Sequence, residues 1–309
     1  MRMNNWTRRR AVLAGIMAGM APAAFGQSAP REAEGGIGGT GIVGLLTDFG
    51  SLIVAGVQVA QDDSTEYTNA FGRFSADALR RGDSLTIEAR QTAAGLLASR
   101  VHVTNPLVGM VESVVAAENR LRINGVSVVA ENGSAGLAVG DRVTVSGVWR
   151  AGRVIASRFS AAQDVDDMIA GDVTRGFGAV RIGGVDVRAS GTLQLQSGSY
   201  AEARGQYDMD RGRFQASDLS AGRFTGAAGP LEALHVEGFL DPINMAPGFR
   251  VAGLGHSFAR GLVLAPYAEG RTLFEGPYTG RFAAAKATRL PADSGARRVL
   301  LRRLSQNRG

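Results

Sequence analysis

Three aromatic residues recur at matched places along the chain. Trp149, Tyr207 and Tyr278 each stand two residues after a glycine, Gly147, Gly205 and Gly276. Arg153, Arg213 and Arg281 follow, each directly after a second glycine, Gly152, Gly212 and Gly280. An aromatic face beside a guanidinium can stack on a sugar or other planar group, so these six residues form the candidate ligand-binding set. The same spacing also suits packing, with the aromatic covering a facing glycine and the arginine stem lying over it; packing is the preferred account. A fourth, earlier copy of the pattern departs from it, with Gln91 and Leu96 in these places.

Other chemistry-bearing groups are sparser. His102, His235 and His256 are scattered, without the short-range second and third ligands that zinc requires. Asp164, Asp166 and Asp167 form the densest acid cluster, but the run lacks the turn glycine and distal glutamate of a calcium loop, so a solvated linker is expected. Asp208 and Asp210 suit a hairpin tip. Residues 36–41 read GIGGTG, formally a dinucleotide fingerprint. A Pro/Glu/Gly-containing linker precedes it and an apolar strand follows, whereas the phosphate needs a helix N-terminus there. No serine–histidine–acid arrangement is suggested. The expectation is therefore no catalytic residue, no metal and no cofactor.

The elements that carry the six residues repeat. Residues 52–57 (LIVAGV), 121–126 (LRINGV), 180–185 (VRIGGV) and 249–254 (FRVAGL) each read as a half-buried strand running into a tight turn. A second alternating strand with its turn glycine follows at 79–89, 137–147 and 195–205, with a weaker copy at 270–276. A third follows at 95–103, 152–160, 212–220 and 280–288. Opening strands carry Gly44, Gly109, Gly171 and Gly238, spaced 65, 62 and 67 residues apart. In the first copy, residues 75–80 and Gly82 suit a short helical turn with a glycine stop.

This order predicts an all-β protein of four tandem, five-stranded barrels of the oligonucleotide/oligosaccharide-binding type, at 40–104, 105–163, 164–229 and 230–290. Units of roughly 60 residues without a disulfide are marginal alone, so neighbours should pack together or share strands. The alternative is two larger barrels or a sandwich, each built from two copies.

Residues 1–26 read as an export signal. An arginine cluster, Arg8 to Arg10, precedes a mild apolar stretch too short for a stable span, and Ala24-Phe25-Gly26 offers a cleavage site before Gln27. The paired arginines favour the twin-arginine route, hence a periplasmic location, with 27–39 a glycine-rich linker. Four arginines and no acid leave with the signal, so the formal charge of +6 falls to +2. Five arginines against one aspartate put +4 on residues 291–309, leaving the body near −2. That balance disfavours nucleic acid as a partner. No transmembrane span is expected after signal removal. The arginine tail is expected to be disordered, although its leucine spacing could wind a short amphipathic helix that touches anionic lipid or cell-wall polymer. With 45% hydrophobic residues, 43 glycines and no cysteine, the chain can bury a core, and thiol chemistry and disulfides are excluded.

Residues 35–42 (GGIGGTGI), then Asp48-Phe49-Gly50-Ser51 and the repeated strand and Gly-Asp turn signals, resemble the bacterial exported proteins of the domain of unknown function 5666 family. The resemblance covers residues 35 to about 163. The third unit has Gly198-Ser199 in place of the Gly-Asp pair, and the fourth lacks a clear third-strand leader. The resemblance implies export and a β-rich repeated module, and it carries over no activity. The functional expectation is a non-catalytic binding or assembly module for a periplasmic protein or a glycan or cell-wall polymer. A purely structural spacer and a glycan-active enzyme are the alternatives.

Overall fold

The computed structural model describes residues 38–134, 136–176, 178–189, 195–256, 258 and 261–307. The export signal and most of the glycine-rich linker lie outside them. The chain is mostly β. The first segment contains β1 (Gly39–Asp48), β2 (Leu52–Val54), β3 (Val57–Val59), β4 (Glu66–Asn69), β5 (Gly72–Arg73), β6 (Ser84–Thr92) and β7 (Gly95–Val103). The second contains β8 (Leu107–Val115), β9 (Arg120–Ile123), β10 (Val126–Ala130), β11 (Arg142–Arg150) and β12 (Arg153–Ala161). The third contains β13 (Asp167–Gly176), β14 (Ala179–Ile182), β15 (Val185–Ala189), β16 (Tyr200–Asp208) and β17 (Arg213–Ala221). The fourth contains β18 (Leu231–Gly238), β19 (Leu240–Pro242), β20 (Phe249–Val251), β21 (Thr272–Pro277) and β22 (Lys286–Arg289), and the helix α1 (Ser294–Gln306) follows.

In the second segment the pairing closes on itself. β8 pairs with β9 and β9 with β10 antiparallel, β10 with β12 parallel, β12 with β11 antiparallel, and β11 returns antiparallel to β8. This is a five-stranded barrel, filled by inward residues such as Val111, Ile123, Val128, Val145 and Val154. The same cycle of pairings joins β13, β14, β15, β17 and β16. In the first segment Ala60 bridges Leu97 in parallel beside β3, and the β4–β5 hairpin is an addition laid parallel against β7. In the fourth, a lone parallel bridge from Phe258 to Phe282 takes the place of the parallel ladder.

Local sequence explains the turns. Asn124-Gly125 and Gly183-Gly184 both place two consecutive residues at positive φ, the requirement of a primed two-residue hairpin. Gly147 sits at a β-bulge of β11, where a Cβ would lie 2.3 Å from the Ile155 carbonyl oxygen. That close approach accounts for the glycine found two residues before Trp149. The 3-10 turn Ala76–Ala78, capped by the Ser75 hydroxyl, forms where the helical turn is expected.

Strand pairing joins the segments two by two. β8 and β13 run antiparallel through Val108–Met168 and Leu107–Ile169, and β1 and β18 run parallel from Thr40–Ala233 to Val43–Val236. Residues 294–306 correct the expectation of a disordered tail. Asp293 caps α1 by accepting the Ala296 amide, and Leu301, Leu300 and Leu304 pack against the first segment's core. The leucine spacing prevails over the arginine content because the arginines occupy the other faces or are paired. No helix among the described residues is long and apolar enough to cross a membrane.

Candidate functional site

The recurring aromatics lie between segments. The indole of Trp149 is buried, and its N–H donates to the Ala170 carbonyl of the third segment at 2.9 Å. A Cβ at Gly183 would stand 2.5 Å from its ring, and one at Gly253 of the fourth segment 2.4 Å. Tyr207 reciprocates: its hydroxyl would lie 2.4 Å from a Cβ at Gly125, in the β9–β10 turn of the second segment. Each of these two aromatics therefore covers the tight-turn glycine of the other's barrel. Tyr278 meets the His256 imidazole edge-on and shares a hydrogen bond with its Nδ1 at 3.0 Å, and the Phe224 ring packs against both.

The three arginines do not converge with them. Arg153 is exposed at the β11–β12 tip, Arg213 is half-buried, and Arg281 donates to the Phe258 carbonyl at 3.3 Å. In the second hairpin the guanidinium that covers an aromatic belongs to Arg150, 4.8 Å above the Phe239 ring.

What the fold does assemble is a buried polar junction that joins segments. Arg223, in the connection between β17 and β18, stacks 3.9 Å above the Tyr200 ring. It donates to Thr86 Oγ1 of the first segment at 2.8 Å and to the Leu254 and Gly253 carbonyls of the fourth. Tyr200 donates to Glu202 Oε1 at 2.8 Å, and Glu202 meets His102 Nε2 at 3.0 Å. Arg100 Nη2 lies 2.8 Å from His102 Nδ1. A guanidinium can only donate, so Nδ1 accepts and the imidazole proton sits on Nε2, facing Glu202. Thr68 Oγ1 is 2.9 Å from the same Nδ1.

Two further carboxylates tie loops to this junction. Glu88, fully buried on β6, accepts the Thr225, Gly226 and Ala227 amides and the Thr225 hydroxyl, all at 2.7–2.9 Å. Asp172 on β13 accepts the Gly253 and Gly255 amides at 2.9 and 3.0 Å.

The electrostatics follow from burial and partners. Burial pushes Asp172 above the ordinary carboxylate range despite Arg250 and the two amides. Burial would raise Glu202 too, but the hydrogen bond from His102, with the Tyr200 hydroxyl and the Arg223 charge, brings it below its usual value. Burial and the Glu202 charge drive the Tyr200 hydroxyl well up. His256 falls to about 4, first through burial and then through the nearby Arg223 charge.

Chemically, this is an arrangement for holding. The cavity beside Trp149, Tyr200 and Arg223 is about 40 Å³, against the roughly 300 Å³ at which small-molecule sites begin. A larger open groove, about 740 Å³, lies along the β4–β5 hairpin between Tyr67, Phe74, Glu66 and Arg73. Asp164, Asp166 and Asp167 form a clasp: Arg142 grips the Asp167 carboxylate at 2.6 Å and the carbonyls of Asp164 and Val165 at 2.9 Å, while Arg204 reaches Asp166 at 3.6 Å. Among the described residues no three His, Cys, Asp or Glu side chains group as metal ligands. Gly38 and Gly39 run straight into β1, so the described end of the glycine-rich stretch opens a strand and presents no helix N-terminus to a phosphate.

The junction residues escaped sequence reasoning for a stated reason. Thr86 and Glu88 alternate with Leu85, Ile87 and Ala89, and that pattern assigns them to the solvent side of a barrel. A strand whose polar positions hold a lone acid between apolar residues, as in 85–89 and 200–203, was the available signal.

Comparison with known proteins finds one family and adds no activity. The profile of the domain of unknown function 5666 matches residues 40–102 and again 108–158, one match for each of the first two segments. Neither a curated protein nor a solved structure matches the chain. Two stretches of the chain, residues 40–102 and 108–158, are thus similar to the family of the domain of unknown function (DUF5666).

Proposed function

We propose that the chain is an exported, periplasmic, non-catalytic binding or assembly module, made of four diverged oligonucleotide/oligosaccharide-binding-type barrels fastened into one block. The reciprocal covering of turn glycines by Trp149 and Tyr207 carries this reading. Side chains that a ligand-binding hairpin would display are spent on joining barrels, as a scaffold requires. The buried acids and His102 act as fasteners, satisfied by backbone amides and arginines. A ligand then meets the outer surface, where the β4–β5 groove offers half-buried Tyr67 and Phe74 amid polar side chains.

Incubation of the full chain with purified cell-wall glycan and with periplasmic extract tests the proposal. Stoichiometric retention of one partner with its covalent structure intact is expected. Release of shortened glycan fragments overturns the non-catalytic reading, and retention of nothing favours the spacer alternative.

A further inference from the structure

The helix α1 turns two different faces outward and inward. Its leucines and Arg297 are committed to the protein, Arg297 to Glu131 at 2.7 Å. The opposite face shows Arg298, Arg302, Arg303 and the half-exposed Val299. This face continues onto the first segment. Arg302 and Arg81 both grip Asp48, Arg81 lies 6.0 Å from the ring of the exposed Phe49, and Arg81 and Arg298 line one polar hollow of about 120 Å³. Four arginines, one aspartate and two exposed apolar side chains thus form one contiguous patch.

We infer that this patch attaches the protein peripherally to an anionic phospholipid surface. Guanidinium forks match phosphate geometry and stay charged at any physiological pH. The body is slightly acidic apart from the tail, so an anionic surface meets the cationic end first. Phe49 and Val299 choose between sources of negative charge. A soluble polyanion gains nothing from an exposed phenyl ring among arginines, whereas the headgroup boundary of a bilayer accepts it. The leucine face is already buried, so contact is superficial and reversible, without insertion of the helix.

Each arginine held near an anionic surface strengthens binding about fivefold. Co-sedimentation of the full chain with vesicles of phosphatidylcholine alone, and of equal parts phosphatidylcholine and phosphatidylglycerol, reads the effect directly. Binding is expected on the anionic vesicles only, and it weakens as salt is raised. The double variant Arg298→Gln/Arg303→Gln changes exposed side chains that pair with no carboxylate among the described residues. It should bind about 25-fold more weakly with an unchanged melting temperature, and Phe49→Ser should weaken binding several-fold. Equal binding by wild type and double variant, equal binding to both vesicle types, or binding of soluble polyphosphate with no binding to vesicles overturns the inference. These outcomes are independent of glycan or protein capture through the groove, so the two proposals fail separately.

Discussion

Replacement of Trp149 by alanine separates packing from ligand display. The indole is 7% exposed and touches the turn glycines of two other segments. Truncating such a tryptophan costs about 3–5 kcal/mol through lost burial and the cavity left behind. The Ala170 carbonyl also loses its partner at 2.9 Å, an unmade buried hydrogen bond of roughly 1–3 kcal/mol that is not fully additive. At about 2–4 °C per kcal/mol for a chain of this size, the midpoint should fall by about 10–15 °C. Trp149→Phe keeps most of the apolar volume and should lose about 1–2 kcal/mol, chiefly the N–H contact. Arg153→Ala, at the exposed tip, should stay within ~0.5 kcal/mol. Thermal and urea denaturation of the three variants and wild type give these values. A Trp149→Ala protein that melts within 2 °C of wild type but no longer captures a partner would refute the packing account and restore the hairpin as a ligand face.

Acid stability provides a second check. His256 is held near 4 against an ordinary 6.5, by burial and by Arg223, with Tyr278 on its Nδ1. Protons therefore bind the unfolded chain more readily. The stabilisation is fully present above pH 6.5 and is lost as pH falls towards 4, roughly 3 kcal/mol in all. Urea unfolding across that range should show His256→Gln with a flatter acid slope than wild type; parallel slopes would reject the assignment. In the ion cluster under α1, buried Glu237 accepts the Leu45 amide and Arg271 Nη1, each at 3.3 Å, and Arg271 and Arg297 both reach Glu131, at 3.0 and 2.7 Å. Glu237→Gln leaves Arg271 under-compensated and should cost about 3–5 kcal/mol, with faster amide exchange in α1. Unchanged exchange there would separate the cluster from the helix.

Much of the architecture was legible because it rests on local rules. Strand alternation in 121–126 and 137–147 and the Asn-Gly and Gly-Gly turns announce themselves in sequence, whereas the bulge at Gly147 shows only in the pairing of β11 with β12. The aromatic pattern was visible too, but Trp149 and Tyr207 lie against turn glycines of other segments rather than of a facing strand, and Tyr278 meets His256 instead of a glycine. The junction was invisible for a related reason. Glu88, Glu202 and Arg223 occupy positions that a lone barrel would expose, and only the neighbours that cover them make them core. The helix α1 was legible only as the alternative to a disordered tail, because charge content outweighed the Leu300, Leu301 and Leu304 face.

The central claim is that the pairing of β8 with β13 and of β1 with β18, together with the Arg223 junction, makes the four β segments behave as one body. Differential scanning calorimetry of the full chain tests it most directly. One heat-absorption peak, with calorimetric and van't Hoff enthalpies equal, is the expected result. Two or more resolved transitions, or a calorimetric enthalpy well above the van't Hoff value, would contradict it.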